Sequence, residues 1–435
     1  MASSTSISVE ARSQAFQTEF EDICREIQGS VRPNIIMPWT DDDGVATDSC
    51  VLSPCGMPGR LVAHLKNNLV DLLAFDGGDF QDWNVAKPQQ QWPTSTPDWE
   101  KWLPRMEHFF GQQWKDQGIY HLIKLFNRPL AMDRSLLAVA LCFWSSATNT
   151  MNFRFGMMTP TVLDMVALFS LSPLGVEVNA ALIAPEAEGS FKAAWPEVTK
   201  IAGSKAKNLL NYSSFYNNFG EVEHAAFLLY WLCKFVFCTQ ANKVTMEFSH
   251  LADYLAQGGR LALGQFLLGH IYRTLHDIIT NGMKLKHGGP LWAFQFWLQA
   301  YFPELRGVAN ITDTEPLANA FARAPRKHNT SAFCYKFFYG LAERTGAQFC
   351  VCLARPFPLF LAHDLSVIPD GETENDLKEI WGSFLVSRDL HCGLSKAGVE
   401  VYLPNFVARQ FGLIQTAPLP PLSINRLSSW RADVT

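Results

Sequence analysis

Apolar residues first recur at helical spacing over residues 8–28. Val9, Phe16, Phe20, Ile23 and Ile27 are separated there by polar and charged positions, which predicts an amphipathic helix. Residues 29–58 are rich in Pro, Gly, Ser and Asp and read as a linker. Two short elements can pair around "HLKNNLVDLL" within 60–75, and "NVAKPQQQWPTSTP" over 84–97 is a second polar, Pro-rich interruption. From residue 98 helical patterns dominate. "DWEKWLPRMEHFFGQQWKDQGIYHLIKLF" predicts two helices, broken at Pro104 and Gly118. "MDRSLLAVALCFWSSAT" predicts a helix with Asp133 as its N-cap.

The stretch "MNFRFGMMTPTVLDMVALFSL", Met151 to Leu171, changes period halfway. Met151, Phe153 and Phe155 alternate with Asn152 and Arg154, as in a strand. Gly156 permits a turn. Thr159 then fits an N-cap and Pro160 the first helical position, where a missing N–H is harmless. Val162, Met165, Val166 and Phe169 form an apolar stripe that Pro173 and Gly175 close. Asp164 falls off the stripe with no evident partner. A glycine between strand and capped helix is where many enzymes hold a nucleophile or a phosphate, but this turn offers only Met157 and Met158. It reads as a joint.

Residues 184–211 form a polar excursion with four lysines. "EVEHAAFLLYWLCKFVFC" over 221–238 reads as a buried helix, and "EFSHLADYLAQGG" as a helix ended by Gly258 and Gly259. The next helix, "RLALGQFLLGHIYRTLHDIITNG", places Leu267, Leu268, Ile271, Leu275, Ile278 and Ile279 on one stripe. "GPLWAFQFWLQAYF" is a helix with Pro290 near its first turn. Beyond it, "QFCVCLARPFPLFLAHDL" can hold a short strand, "DLKEIWGSFLVSRDL" a helix, and "VEVYLPNFVARQFGL" ends the ordered part. The fold class expected is mainly α, a multi-helix globular domain with a small β-hairpin and a few short strands. Its organisation is an N-terminal helix and linker over 1–58, one domain over 59–415 and a Pro-rich disordered tail over 416–435.

Composition adds limits. Apolar residues at 48% and charged residues at 18% supply a large core, and 13 Trp with 32 Phe make it aromatic. The net charge of −5 gives direct DNA binding no support, although a local basic patch stays open. No secretory signal and no transmembrane run is visible, which points to cytosol or nucleus. Cys142, Cys233, Cys238 and Cys334 sit in apolar runs, as free thiols do in a reducing compartment.

No candidate chemistry is complete. "DGGDF" (Asp76 to Phe80) resembles a Gly-Gly-Asp-Glu-Phe hairpin without its glutamate. "TDDDG" (Thr40 to Gly44) lacks the alternating carboxylates of a calcium loop. Cys350 and Cys352 with His363, or His391 with Cys392, lack the paired spacing of structural zinc. Glu223-His224 lacks the second histidine of a metalloprotease, so Glu221 or Glu223 reads better as a carboxylate complementing its helix dipole. Lys205 and Lys207 in "GSKAK" offer the nearest pyridoxal-phosphate lysine, without the α/β scaffold such a site needs. The basic clusters Arg323, Arg326, Lys327, His328 and Lys284, Lys286, His287 read as solvated faces. No catalytic, cofactor or metal residue is therefore assigned.

Five blocks in this order carry a resemblance. They are "NTMNFRFGMMTPTVLDMVALFSLSPLG", "EVEHAAFLLYWLCKFVFC", "LADYLAQGGRLALGQFLLGHIYRTL", "GGPLWAFQFWLQAYFPEL" and "VYLPNFVARQFGLIQTAP". Together, over roughly 60–420, the chain resembles the plant mobile domain family of transposon-derived proteins, which includes the meristem-maintenance type. The motif residues are Phe153, Phe155, Gly156, Thr159, Glu223, His224, Trp231, Tyr402, Pro404, Arg409, Gln410, Phe411 and Gly412. Ser170 and Ser172-Pro173 depart from the family's simpler Gly-Leu-Pro turn. The resemblance implies a nuclear role in transposon silencing, gene expression and genome maintenance, and the absence of any complete catalytic constellation favours a non-enzymatic interaction domain. The resemblance also implies nuclear proteins as partners, often a phosphatase-like one, and no cofactor is assigned. Some members carry an aminotransferase-like label, which Lys205 and Lys207 do not support. The alternatives are a transposon-encoded accessory or DNA-binding protein, and an enzyme whose acidic and histidine residues meet only on folding.

Overall fold

The computed structural model describes residues 35–36, 50–51, 92–145, 148–153, 156–179, 221–239, 244–280, 288–312, 314–339, 375–394, 398–411 and 413. Within them are eleven α-helices and three small antiparallel ladders. The expected helix over 8–28, the elements of 60–75, the polar excursion and the tail lie outside the described residues. In the segment read as a linker, β1 (Ile35–Ile36) pairs with β2 (Cys50–Val51).

Helix α1 (Pro97–Asp116) starts where Thr96 accepts a hydrogen bond from the Trp99 N–H, with Pro97 in the first turn. It runs unbroken through Pro104, contrary to the expected break. Pro104 and Glu100, whose carbonyl loses its partner at the proline, are both exposed, so water can serve that carbonyl. The opposite face buries Trp99, Trp102, Leu103, Met106 and Trp114, and that packing holds the helix together. Gly118, at φ 75°, breaks the chain before α2 (Tyr120–Leu125), as expected. The side chains of Gln113 and Gln117 donate to the carbonyls of Leu255, Ala256 and Gly259, closing the open end of a later helix.

Helix α3 (Arg134–Leu141) is capped by Asp133, which accepts from the Leu136 N–H at 3.0 Å. A three-stranded ladder follows: β3 (Trp144–Ser145), β4 (Thr150–Phe153) and β5 (Gly156–Met158). Phe153 pairs with Gly156 and Met151 with Met158, so the hairpin exists. Its β4 is buried on both faces, Asn152 included.

Helix α4 (Val162–Phe169) corrects three expectations. Its N-cap is Thr161, two residues beyond Thr159, and Pro160 lies outside the helix. Thr161 and Asp164 form a reciprocal capping box, so the third helical residue, not a proline at the first, defines this start. The helix also stops early. Ser170 takes a left-handed conformation at φ 62° and ends it before Pro173.

Helix α5 (Glu221–Trp231) widens into a π turn over Leu232–Val236 instead of staying α-helical to 238. The Phe237 N–H reaches back to the Leu232 carbonyl. Helices α6 (Ser249–Ala256), α7 (Leu263–Thr280) and α8 (Leu291–Tyr301) follow as predicted, and the stripe of α7 is buried throughout. Then come α9 (Leu317–Arg323), α10 (Ser331–Tyr339) and α11 (Asn375–Leu385). The helix expected through "SRDL" ends at Leu385, and Arg388–His391 forms β6 against β7 (Val399–Tyr402). A Cβ on Gly269 of α7 would stand 2.6 Å from the His391 carbonyl oxygen, so glycine is what lets β6 lie on this helix. The last described element is a 3-10 segment over Pro404–Phe411. One continuous apolar core, including Trp99, Trp114, Trp144, Trp231, Trp292 and Trp297, joins the elements from α1 onward.

Candidate functional site

The family-motif residues fall into two clusters and a cleft lies elsewhere. In the first cluster α4 meets α8, the hairpin and the 3-10 segment. Asp164 is fully buried. Its Oδ2 accepts from the Thr161 N–H at 2.8 Å, the Thr161 hydroxyl at 2.9 Å and Trp297 Nε1 at 3.1 Å. Its Oδ1 accepts from the Tyr301 hydroxyl at 2.9 Å. Burial pushes its pKa up to about 6, and these donors work against that rise. The residue that read as partnerless is thus among the best-bonded in the domain.

Gln410 continues the network. Its Oε1 accepts from the Thr159 N–H at 2.8 Å, while its Nε2 donates to the Thr159 carbonyl at 2.9 Å and to Tyr301 Oη at 3.1 Å. The side-chain amide treats Thr159 as a neighbouring strand would, tying the end of the hairpin to a segment 251 residues away. The Thr159 hydroxyl turns to the Asn149 carbonyl, and Tyr272 donates to the Pro160 carbonyl at 2.6 Å. Thr159 therefore serves as a tie point, not as a cap. Phe153 packs on Phe338 and Phe302, and Phe411 is buried beside Gln410. Tyr402 donates to the Phe384 carbonyl at 2.6 Å, and burial holds its phenol well above the usual range. Pro404 opens the 3-10 segment. Phe155 and Gly412 lie outside the described residues, as does the side chain of Arg409.

The second cluster sits where α1 crosses the start of α5. Glu223 Oε1 accepts from Trp102 Nε1 at 3.1 Å, and Oε2 from Arg105 Nη2 at 2.7 Å. Trp102 and Arg105, three residues apart on α1, reach the same carboxylate. Glu223 stands in the first turn of α5, where a carboxylate complements the helix dipole, and it also forms an ion pair to another helix. Next to it, the His224 ring stacks on Phe110 with centroids 3.7 Å apart, and its Nε2 accepts from Trp114 Nε1 at 2.9 Å. Burial pushes the His224 pKa down to about 3, so the ring is neutral near pH 7. Trp231 lies fully buried below.

Folding thus gathers acidic groups and histidines, as the enzyme alternative requires. Each oxygen of Asp164 and Glu223, however, is engaged by a protein donor, and both residues are closed to solvent. A buried carboxylate with a pKa near 6 has the acidity of a general acid, but Asp164 has no opening through which a substrate could reach it. Among the described residues, no group of His, Cys, Asp and Glu has metal-binding spacing. His391 and Cys392 stand at the end of β6, with Cys392 buried and not in a disulfide. Cys142, Cys233, Cys238 and Cys334 are buried and not in disulfides either. Cys350, Cys352, His363, Lys205, Lys207, Lys284, Lys286, His287 and the segments Asp76 to Phe80 and Thr40 to Gly44 lie outside the described residues. No described helix is long and apolar enough to cross a membrane.

Among the described residues, one open feature is a cleft of about 420 Å³ at the N-terminus of α3, lined by Trp92, Leu130, Asp133, Arg326, Lys327 and Asn329 among others. A second, of about 250 Å³, shares Leu130, Asp133, Arg326 and Lys327 and adds Arg306. Of the basic cluster, Arg323 is paired with Glu315, while Arg326, Lys327 and His328 border the first cleft.

A mostly helical domain pinned by buried motif residues is what these observations define. A model of the plant mobile domain matches residues 118–432, and the chain belongs to the plant mobile domain family. No curated protein and no solved structure matches it.

Proposed function

We propose that this chain is a non-enzymatic nuclear interaction domain of transposon origin, acting in transposon silencing, gene expression and genome maintenance through the proteins it binds, a phosphatase-like protein among them. Membership of the plant mobile domain family supports the transposon origin. One structural observation supports the interaction reading: the described polar motif side chains, on Thr159, Glu223, His224, Tyr402 and Gln410, are buried and spend their hydrogen bonds on other elements of the fold. Residues held this way maintain a shape, and a maintained shape acts through its surface. Affinity purification of the tagged chain from plant nuclei, with mass spectrometry and imaging, tests the reading. Reproducible nuclear partners and nuclear signal are expected. A cytosolic location with no nuclear partner would overturn it.

A further inference from the structure

We infer that the cleft at the start of α3 docks an acidic peptide segment of a partner protein; this rests on the interaction-domain reading and names the chemistry of one partner. Arg134, Arg306, Arg326 and Lys327 line the two adjoining clefts, against the single carboxylate of Asp133. In a chain whose net charge is −5, that concentration of cations runs against the whole.

Arg306, Arg326 and Lys327 are held in place by carbonyls rather than by ion pairs. Arg326 donates to the Met132 carbonyl at 3.3 Å, and Lys327 to the Glu304 carbonyl. Arg306 donates to the carbonyls of Gln299 and Gly307 and lies over the Phe321 ring. Carbonyls orient a cation without cancelling its charge. None of the ion pairs among the described residues uses Arg306, Arg326 or Lys327. Asp133 is itself committed, to the Leu136 N–H and to Asn329.

Asn329 points to a peptide rather than a nucleic-acid backbone. It lines the cleft and is 9% exposed. Its Nδ2 donates to Asp133 Oδ2 at 2.7 Å and to the Leu305 carbonyl at 2.9 Å, which sets the orientation of the amide. Its Oδ1 is then left as a buried acceptor with no donor. A phosphodiester brings only acceptors. A peptide brings carboxylates for the cations and main-chain N–H groups for such an acceptor. The apolar floor of Trp92 and Leu130 suits an apolar side chain between acidic ones.

The test uses the full chain and a short fluorescein-labelled peptide rich in Glu and Asp with interspersed Leu, read by anisotropy. Its Gln/Asn counterpart and a labelled DNA oligonucleotide serve as controls. Binding of the acidic peptide is expected, absent for the neutral one and falling with added salt. R326E/K327E should weaken it at least about tenfold. R326Q/K327Q, which adds no repulsion toward Asp133, should weaken it less, and both variants should melt as the parent does. Equal binding by parent and variants, or tighter binding of the DNA than of the peptide at the same salt, would overturn the inference. If nuclear partners are recovered equally by parent and R326E/K327E, the cleft is wrong while the interaction reading stands. If no nuclear partner is found but the peptide binds as described, the wider reading fails and the cleft remains.

Discussion

Two carboxylates, each third in its helix, meet opposite fates in this domain. Asp164 of α4 is held by four neutral donors, two of them from its own cap and two from α8. Glu223 of α5 is held by Trp102 and by the cation of Arg105, whose side chain keeps 17% of its exposure. Both carboxyl pKa values are raised by burial, and only Glu223 has a cation to oppose the rise. The contrast shows two ways of burying a charge: saturate it with dipoles, or give it a counter-ion that still touches water. The first is the more brittle, because Trp297 and Tyr301 have no water to turn to if the acceptor is removed.

The largest expected effect follows from that. Asp164→Ala strands Trp297 Nε1 and the Thr161 N–H and takes an acceptor from the Tyr301 hydroxyl, and should cost about 3–5 kcal/mol in denaturant unfolding. Asp164→Asn keeps an acceptor for some of these donors and should cost clearly less. A loss under about 1 kcal/mol for the alanine variant would mean that the network is not what holds the joint.

A double-mutant cycle on Arg105→Ala and Glu223→Ala comes next. The coupling should be about 1–2 kcal/mol, discounted because Arg105 is partly solvated and free to rehydrate. Zero coupling would leave Glu223 bonded in effect to Trp102 alone, and would erase the distinction between the two sites.

The pH dependence of stability sharpens the same comparison. His224 is depressed to about 3 in the folded chain, so its contribution is complete above its ordinary value of 6.5 and is lost as pH falls toward 3. Asp164 is raised to about 6 from 3.8, so its contribution is complete below 3.8 and is lost as pH rises through 6. Between these limits the two act in opposite directions. His224→Gln, which keeps an acceptor for Trp114, should flatten the acid-side loss of melting temperature. Asp164→Asn should remove the loss between about pH 4 and 6. Parallel pH profiles for parent and both variants would show that neither group titrates as described.

The smallest effect concerns the tie at Thr159. Gln410→Ala should cost about 1–2 kcal/mol, because the Thr159 N–H and carbonyl lose partners that water can replace only in part. Gln410→Glu should be worse than alanine, since a carboxylate cannot donate to the Thr159 carbonyl.

Much of this arrangement was legible in the residues. The cap at Asp133, the break at Gly118 and the buried stripe of α7 each depend on neighbours within a few positions, and each occurs where the spacing places it. The five ordered blocks pointed to the family whose model matches. Where the reading slipped, a local rule met a competitor. Thr159 satisfies the cap preference as well as Thr161 does, but only Thr161 has an acidic residue three positions on, and that signal was available. Pro104 obeys the breaker rule in isolation, yet the packing of its opposite face outweighs it.

The partners of the motif residues were not legible at all. Glu223 finds Arg105 across 118 residues, and Asp164 finds Tyr301 across 137. Nothing near either carboxylate distinguishes dipole saturation from ion pairing, and nothing near Arg326 and Lys327 says that they border a cleft. By itself the sequence determined most of the described helices, some of their ends and the family, because periodicity and capping act over one or two turns. Tertiary structure alone decided which polar groups would be buried together. Burial removes water, and only the side chains that another part of the fold brings within hydrogen-bond distance can take its place.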